Sequence, residues 1–289
     1  MLTPQSQAKK LAKALGLNTG LYLKREDLHP HGSHKGRSIP IMIGKYVKSG
    51  ETDFCISSSG NAAISAALMI NEHNAKNKTR PLSLKIFVGK NIDSNKLKII
   101  KKLLNKKVIL KKTDNPKQMA FQMEKSGSAK NLRQSTDDTA LLGYAGLAKE
   151  LAKIKNLSAV FVPTSSGTTA QALHEEFQKL KLHPQIHIVQ TPACHPMVKS
   201  SIPMSPSLAT AIVDNVGFRK EAVKKGVLES RGTGWIATNK DIAEAKTLTK
   251  KTEGIDVSAN SALSVAGLAQ AIKNKQAFDG PVVCVLTGR

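Results

Sequence analysis

Lys35 closes a short run of residues whose types could turn its amine into a nucleophile. Leu21 and Leu23 alternate with Tyr22 and Lys24, which is a strand pattern, and the run breaks at His29-Pro30. Gly32 and Ser33 then supply a turn and a helix N-cap, so Lys35 falls in the first turn of the following helix. There the positive end of the helix dipole and nearby Arg37 both disfavour an ammonium, and Lys35 should give up its proton more readily than a surface lysine. A neutral amine is what imine formation with an aldehyde needs. Position alone leaves a second reading open, that Lys35 is one more surface lysine in a lysine-rich chain.

Two loops of small residues could receive an anion. Ser57-Ser58-Ser59-Gly60-Asn61 follows the apolar run 53–56 and leads into an alanine-rich helix at 62–74. Thr164-Ser165-Ser166-Gly167-Thr168-Thr169 follows the strand 159–163 and leads into a helix that continues to Leu180. Backbone N–H groups at such a junction point toward an anion, and small side chains let it approach. Ordinary helix caps have the same composition, so the loops do not decide the matter by themselves. Cys194-His195 lies between prolines and has the types of a nucleophile and a base, or of an incidental loop pair. His29, His31 and His34 fit no helical or strand ligand spacing, and no metal is expected there.

The elements that must position these residues alternate. Strands are expected at 53–56, 84–88, 108–110, 159–163, 186–190 and 281–286. Helices are expected at 39–48 with Pro40 in the first turn, and at 62–74, 94–104, 145–154, 241–253 and 261–272. This order argues for parallel sheets with helices on both faces. Residues 5–15, after Thr3-Pro4, read as an amphipathic helix with Leu11, Ala14 and Leu15 on one side. The stretch 197–234 is rich in Pro, Ser and Gly and shows no period.

Composition excludes more than it selects. With 289 residues, 40% hydrophobic and 22% charged, the chain can bury a substantial core. No apolar run approaches the roughly eighteen residues of a membrane span. Cys55, Cys194 and Cys284 form no C-x-x-C pair, so neither a disulfide nor a zinc cluster is expected, and a reducing cytoplasm suits them. The net charge of +23 comes mostly from lysine, with seven arginines among 44 basic residues, and aromatics are 4%. Nucleic-acid readers favour arginine and interleaved aromatics, so the charge reads as a solvated surface, with a smaller allowance for an anionic substrate or acidic polymer.

Lys24-Arg25-Glu26-Asp27-Leu28 followed by Gly32-Ser33-His34-Lys35 resembles the lysine motif of pyridoxal-phosphate enzymes of the tryptophan synthase beta type. That group includes threonine synthase, serine and threonine dehydratases and cysteine synthase. The resemblance spans nearly the whole chain and implies that Lys35 carries pyridoxal 5'-phosphate as a Schiff base. It departs at Gly36, where threonine and cysteine synthases usually have aspartate, and at His34, more typical of tryptophan synthase.

By the same resemblance, the loop Ser58-Ser59-Gly60-Asn61 receives the substrate carboxylate, and Asn61 also hydrogen-bonds the cofactor's phenolic oxygen. Ser165, Ser166, Gly167, Thr168 and Thr169 stand where relatives have a glycine-rich phosphate loop. Thr287 matches the hydroxyl that faces the ring nitrogen. Glu253-Gly254 is similar to a turn near the substrate, and the side-chain pocket is expected within 197–234.

The implied fold is α/β, with two interleaved three-layer lobes and parallel-rich sheets. A large cofactor lobe spans 1–40 plus 141–289, and a small mobile lobe spans 41–140. The implied activity is that of a lyase acting on an amino acid by β- or γ-elimination or replacement. Threonine synthase is the nearest pattern, with serine/threonine dehydratase or a cysteine synthase-like enzyme as alternatives. A non-catalytic cofactor binder or a basic nucleic-acid-binding protein is the alternative of another class. Relatives are often dimers, so a homodimer is expected.

Overall fold

A computed structural model describes residues 2–289 apart from Asn91 and Asp93, with the side chains of Asn95 and Lys96 also outside it. The chain is α/β and divides into two compact units, Met1–His29 with Tyr144–Arg289, and Pro30–Gly143. The sequence expectation had put residues up to 40 with the first of these.

The first unit is built on a six-stranded sheet. In spatial order its strands are β1 (Gln5–Gln7), β2 (Leu21–Arg25), β10 (Val282–Leu286), β7 (Ala159–Pro163), β8 (Gln185–Gln190) and β9 (Gly234–Ile236). Only β1 runs antiparallel to its neighbour, with Gln5 opposite Lys24 and Gln7 opposite Tyr22. β7 and β10 are buried along their whole length, as befits central parallel strands covered on both faces. The unit's helices are α1 (Lys9–Leu15), α7 (Ala145–Leu151), α8 (Thr168–Lys179), α9 (Lys220–Glu229), α10 (Asn239–Glu253) and α11 (Ala259–Lys273). α11 lies so close to β8 that a Cβ at Gly267 would come within 2.4 Å of Val189.

The second unit has four parallel strands in the order β5 (Val108–Thr113), β4 (Ser83–Gly89), β3 (Asp53–Ser57) and β6 (Lys130–Asn131). Its helices are α2 (Lys35–Lys48), α3 (Asn61–Lys76), α4 (Ser94–Lys101), α5 (Pro116–Lys125) and α6 (Thr139–Leu142). Ile39, Met42 and Ile43 of α2 share one core with Phe54, Ala66 and Ile70. A Cβ at Gly143 would stand 2.3 Å from the Ser38 Cα, and Ser38 Oγ donates to the Ala140 carbonyl at 2.9 Å. That close approach holds the start of α2 in place.

Several expectations change. Residues 5–7 form a strand rather than the start of a helix, and α1 begins only at Lys9. Pro40 lies inside α2 rather than in its first turn, because the helix starts earlier, at Lys35. α5, α6, α9, β6 and β9 were not among the expected elements. Among the described residues, no helix is long and apolar enough to cross a membrane.

Lys24 breaks the alternation of β2. It is fully buried, and its ammonium donates to the Glu150 carboxylate and, at 2.7 Å, to the Thr3 carbonyl. Thr3 Oγ1 in turn donates to Glu26 Oε1 at 2.5 Å. These bonds draw residues 3–7 onto the sheet edge, which explains why β1 forms.

His187 of β8 is also fully buried, stacked on Phe161 with ring centroids 4.4 Å apart. Its Nδ1 accepts from Thr233 N–H at 3.1 Å and Trp235 Nε1–H at 3.2 Å, which leaves the proton on Nε2, facing Gln185 Oε1 at 3.0 Å. Burial lowers its pKa from 6.5 to about 4. The unfolded chain therefore takes up a proton near pH 6.5 while the native ring resists until about pH 4. The contribution of His187 is in place above pH 6.5 and is lost as pH drops through that window, by about 2–3 kcal/mol between pH 7 and 4.5. Urea unfolding at the two pH values should show this loss, and His187→Gln should flatten it. An unchanged slope in that variant would assign the acid sensitivity elsewhere.

Candidate active site

In the second unit, Lys35 is the first residue of α2. Gly32 takes a left-handed turn with φ of 73°, and Ser33 Oγ accepts the Lys35 N–H at 3.3 Å. The N-cap position itself belongs to His34, one residue later than expected. Lys35 is half-buried, and desolvation lowers its pKa from 10.5 to about 8. The direction matches the sequence expectation. The cause is burial rather than the helix dipole or Arg37. Among the described residues no carboxylate or carbonyl engages the amine.

The loop 58–60 links β3 to α3, and all of Ser58, Ser59, Gly60 and Asn61 are half-buried. Ser58 Oγ accepts the Gly60 N–H at 3.3 Å, and Asn61 is the first residue of α3. The first N–H groups of a helix have no partner within it, so this junction presents donors. One turn further along α3, Ser65 Oγ lies 2.9 Å from His31 Nδ1, and Glu72 Oε1 lies 3.6 Å from His31 Nε2. His31 thus ties the loop before Lys35 to the helix that Asn61 begins. Sequence reading weighed this histidine only as a metal ligand, because its partners are distant in the chain.

In the first unit, Gly167 precedes α8 with φ of +84°, and a Cβ there would come within 2.5 Å of Val223. Thr168 and Thr169 open the helix and are buried. Ser166 Oγ and Thr168 Oγ1 lie 2.9 Å apart. Ser165 Oγ accepts the N–H groups of Val213 at 3.0 Å and Asp214 at 3.2 Å. Thr287 follows β10 and is 5% exposed. The turn after it is fixed by two serines at the start of α11, since Ser258 Oγ and Ser261 Oγ donate to the Gly288 carbonyl at 2.6 and 2.7 Å. These serines had no signal beyond a helix cap. Glu253 has a structural partner, accepting the Leu11 N–H at 2.8 Å. His195 Nδ1 donates to the Thr191 carbonyl at 3.2 Å.

A family model described as pyridoxal-phosphate dependent enzyme matches residues 2–288. The chain belongs to this family. Its cofactor is pyridoxal 5'-phosphate, and it is an enzyme of the pyridoxal-phosphate dependent family. It is 26% identical to threonine synthase of Methanosarcina acetivorans, over 99% of this chain and 74% of that protein. It is likewise 26% identical to threonine synthase of Mycobacterium tuberculosis, over 99% of this chain and 80% of that protein. Two solved structures share the fold. Threonine deaminase isoform 2 of Solanum lycopersicum superposes with a TM-score of 0.81 at 20% identity, covering 99% of this chain and 83% of that one. Maize serine racemase does so with a TM-score of 0.82 at 15% identity, covering 99% and 87%.

The residues present fit the family's cofactor. An aldehyde needs an amine that gives up its proton easily near physiological pH, which the lowered pKa of Lys35 favours. A phosphate is suited to a helix N-terminus behind a residue without a side chain, as at the start of α8 after Gly167.

Proposed function

We propose that this pyridoxal-phosphate dependent enzyme is a lyase that acts on an amino acid by taking its α-proton and eliminating or replacing a β or γ substituent, most like threonine synthase. The observation that carries the reading is Lys35 at the head of α2, set there by the Gly32 turn and the Ser33 hydroxyl, with burial lowering its pKa to about 8. In this reading Lys35 Nζ holds the cofactor and, when released by substrate, accepts the α-proton. Ser58, Ser59 and Gly60 hold the substrate carboxylate, and Asn61 contributes there and donates to the cofactor's phenolic oxygen. The N–H groups and hydroxyls of residues 165–169 hold the phosphate. When bound, the cofactor supplies an electron sink for the pair left by the broken C–H bond. Thr287, a neutral partner for the ring nitrogen, keeps that sink modest, which favours departure of a leaving group over transamination.

Family membership supports an amino-acid substrate, and the threonine synthase relatives support a γ-substituted one. The three free, buried cysteines suit a cytoplasmic protein, with burial pushing the Cys55 thiol up to about 12.

The test is a panel of phosphohomoserine, threonine, serine and acetylserine offered to the loaded protein. Phosphohomoserine should yield threonine and phosphate. Keto acid from serine or threonine would replace the synthase reading with a dehydratase. Colour without turnover of any of them would favour a binding role.

A further inference from the structure

The segment 206–217 has no regular secondary structure, and most of its apolar side chains face solvent: Leu208 is 53% exposed, Val213 57% and Val216 62%. Burial of Ala209 and Ile212 is nearly all the core contact it makes. What orders it is a set of side chains reaching in from elsewhere in the same unit. Asn239 Oδ1 accepts the Leu208 N–H at 2.8 Å, and Asn239 Nδ2 donates to the Pro206 carbonyl at 3.0 Å. Asn260 Oδ1 accepts the Ala211 N–H at 3.0 Å. Ser165 Oγ accepts the N–H groups of Val213 and Asp214.

Ser165 differs from the two asparagines in where it stands. It belongs to the loop that leads through Gly167 into α8, where the cofactor phosphate is assigned above. A hydroxyl oxygen has two lone pairs and one proton. With both lone pairs taken by backbone N–H groups, the Ser165 hydroxyl can act toward anything else only as a donor, and the two N–H dipoles polarise its O–H bond. An anion beside the loop would therefore strengthen the same oxygen's hold on Val213 and Asp214.

We propose that Ser165 is a positioning residue that fastens the segment 206–217 to the loop before α8, so that cofactor loading and the order of this segment reinforce each other. This rests on the assignment of residues 165–169 to the cofactor phosphate. By linkage, whatever factor the cofactor adds to the segment's order is the factor by which loosening the segment weakens the cofactor.

The experiment is amide hydrogen exchange on the peptide covering 211–217, with and without pyridoxal 5'-phosphate, in the unaltered protein and in Ser165→Ala, Ser165→Thr and Asn260→Ala. Loading should slow exchange at Val213 and Asp214 by about fivefold or more in the unaltered protein. Ser165→Ala should abolish that response and weaken cofactor affinity by about the same factor. Ser165→Thr, which keeps the hydroxyl, should restore both. Asn260→Ala should speed exchange at Ala211 while leaving the loading response at Val213 and Asp214. A full response in Ser165→Ala overturns the proposal. So does a loaded, Lys35-modified protein whose Val213 and Asp214 ignore the cofactor, and that outcome leaves the proposed function standing. Failure of borohydride to modify Lys35 in loaded protein would instead remove the functional reading, and this inference with it.

Discussion

Replacing Lys35 by alanine is expected to abolish the borohydride-fixed pyridoxyl group and to lower turnover by about a thousandfold or more, since one side chain serves as both nucleophile and base. Lys35→Arg should fail equally. It keeps the positive charge, but a guanidinium neither deprotonates nor forms an imine under these conditions. The comparison separates charge from nucleophilicity. The pH dependence follows from the lowered pKa. With a folded value of about 8 against 10.5, the neutral fraction of Lys35 at pH 7 exceeds that of a surface lysine by about 300-fold. Limiting pyridoxal phosphate with borohydride at pH 7 should therefore label Lys35 ahead of the chain's many other lysines. The selectivity should shrink above pH 8, where Lys35 gains little more while surface lysines continue to deprotonate. Uniform labelling at pH 7, or an active Lys35→Ala protein, would dispose of the assignment.

The second large effect is expected far from any chemistry. Glu150→Ala removes a carboxylate to which the buried Lys24 ammonium donates and should cost about 3–5 kcal/mol in urea unfolding. Lys24→Met alone should cost a similar amount for the converse reason. The double change Lys24→Met with Glu150→Leu removes both charges together and should recover much of the loss, because the pair's attraction is offset by its desolvation. Two single losses that simply added would argue against a coupled pair. Loosening of Thr3 and β1 should accompany each single variant, because Lys24 also holds the Thr3 carbonyl.

These two lysines show how far local pattern reaches. Lys35 could be picked out because the residues that carry its family resemblance lie close together in the chain, and the structure keeps the turn and helix start with the boundary moved by one position. Lys24 was read as the outward residue of an alternating strand. It is buried because β2 lies between β1 and β10, and its partner Glu150 is 126 positions away. The amine of Lys35 has its lowered pKa, but from burial, which no spacing rule encodes. The hydroxyl of Ser165 was expected to serve a phosphate, and its oxygen receives two backbone groups from a stretch that had no period at all.

The sequence by itself determined the family, the alternation of strands and helices, the residues that match the cofactor motifs and the glycine turns at positions 32 and 167. Each of these depends on residue types within one turn or one strand. Tertiary structure alone decided that residues 5–7 become a strand, that α2 belongs with the unit starting at Pro30, and that burial lowers the pKa of His187. It also decided which side chains tack down the segment 206–217. Burial and pairing of this kind come from contacts between residues tens to more than a hundred positions apart, and water exclusion at a given atom exists only once those contacts have formed.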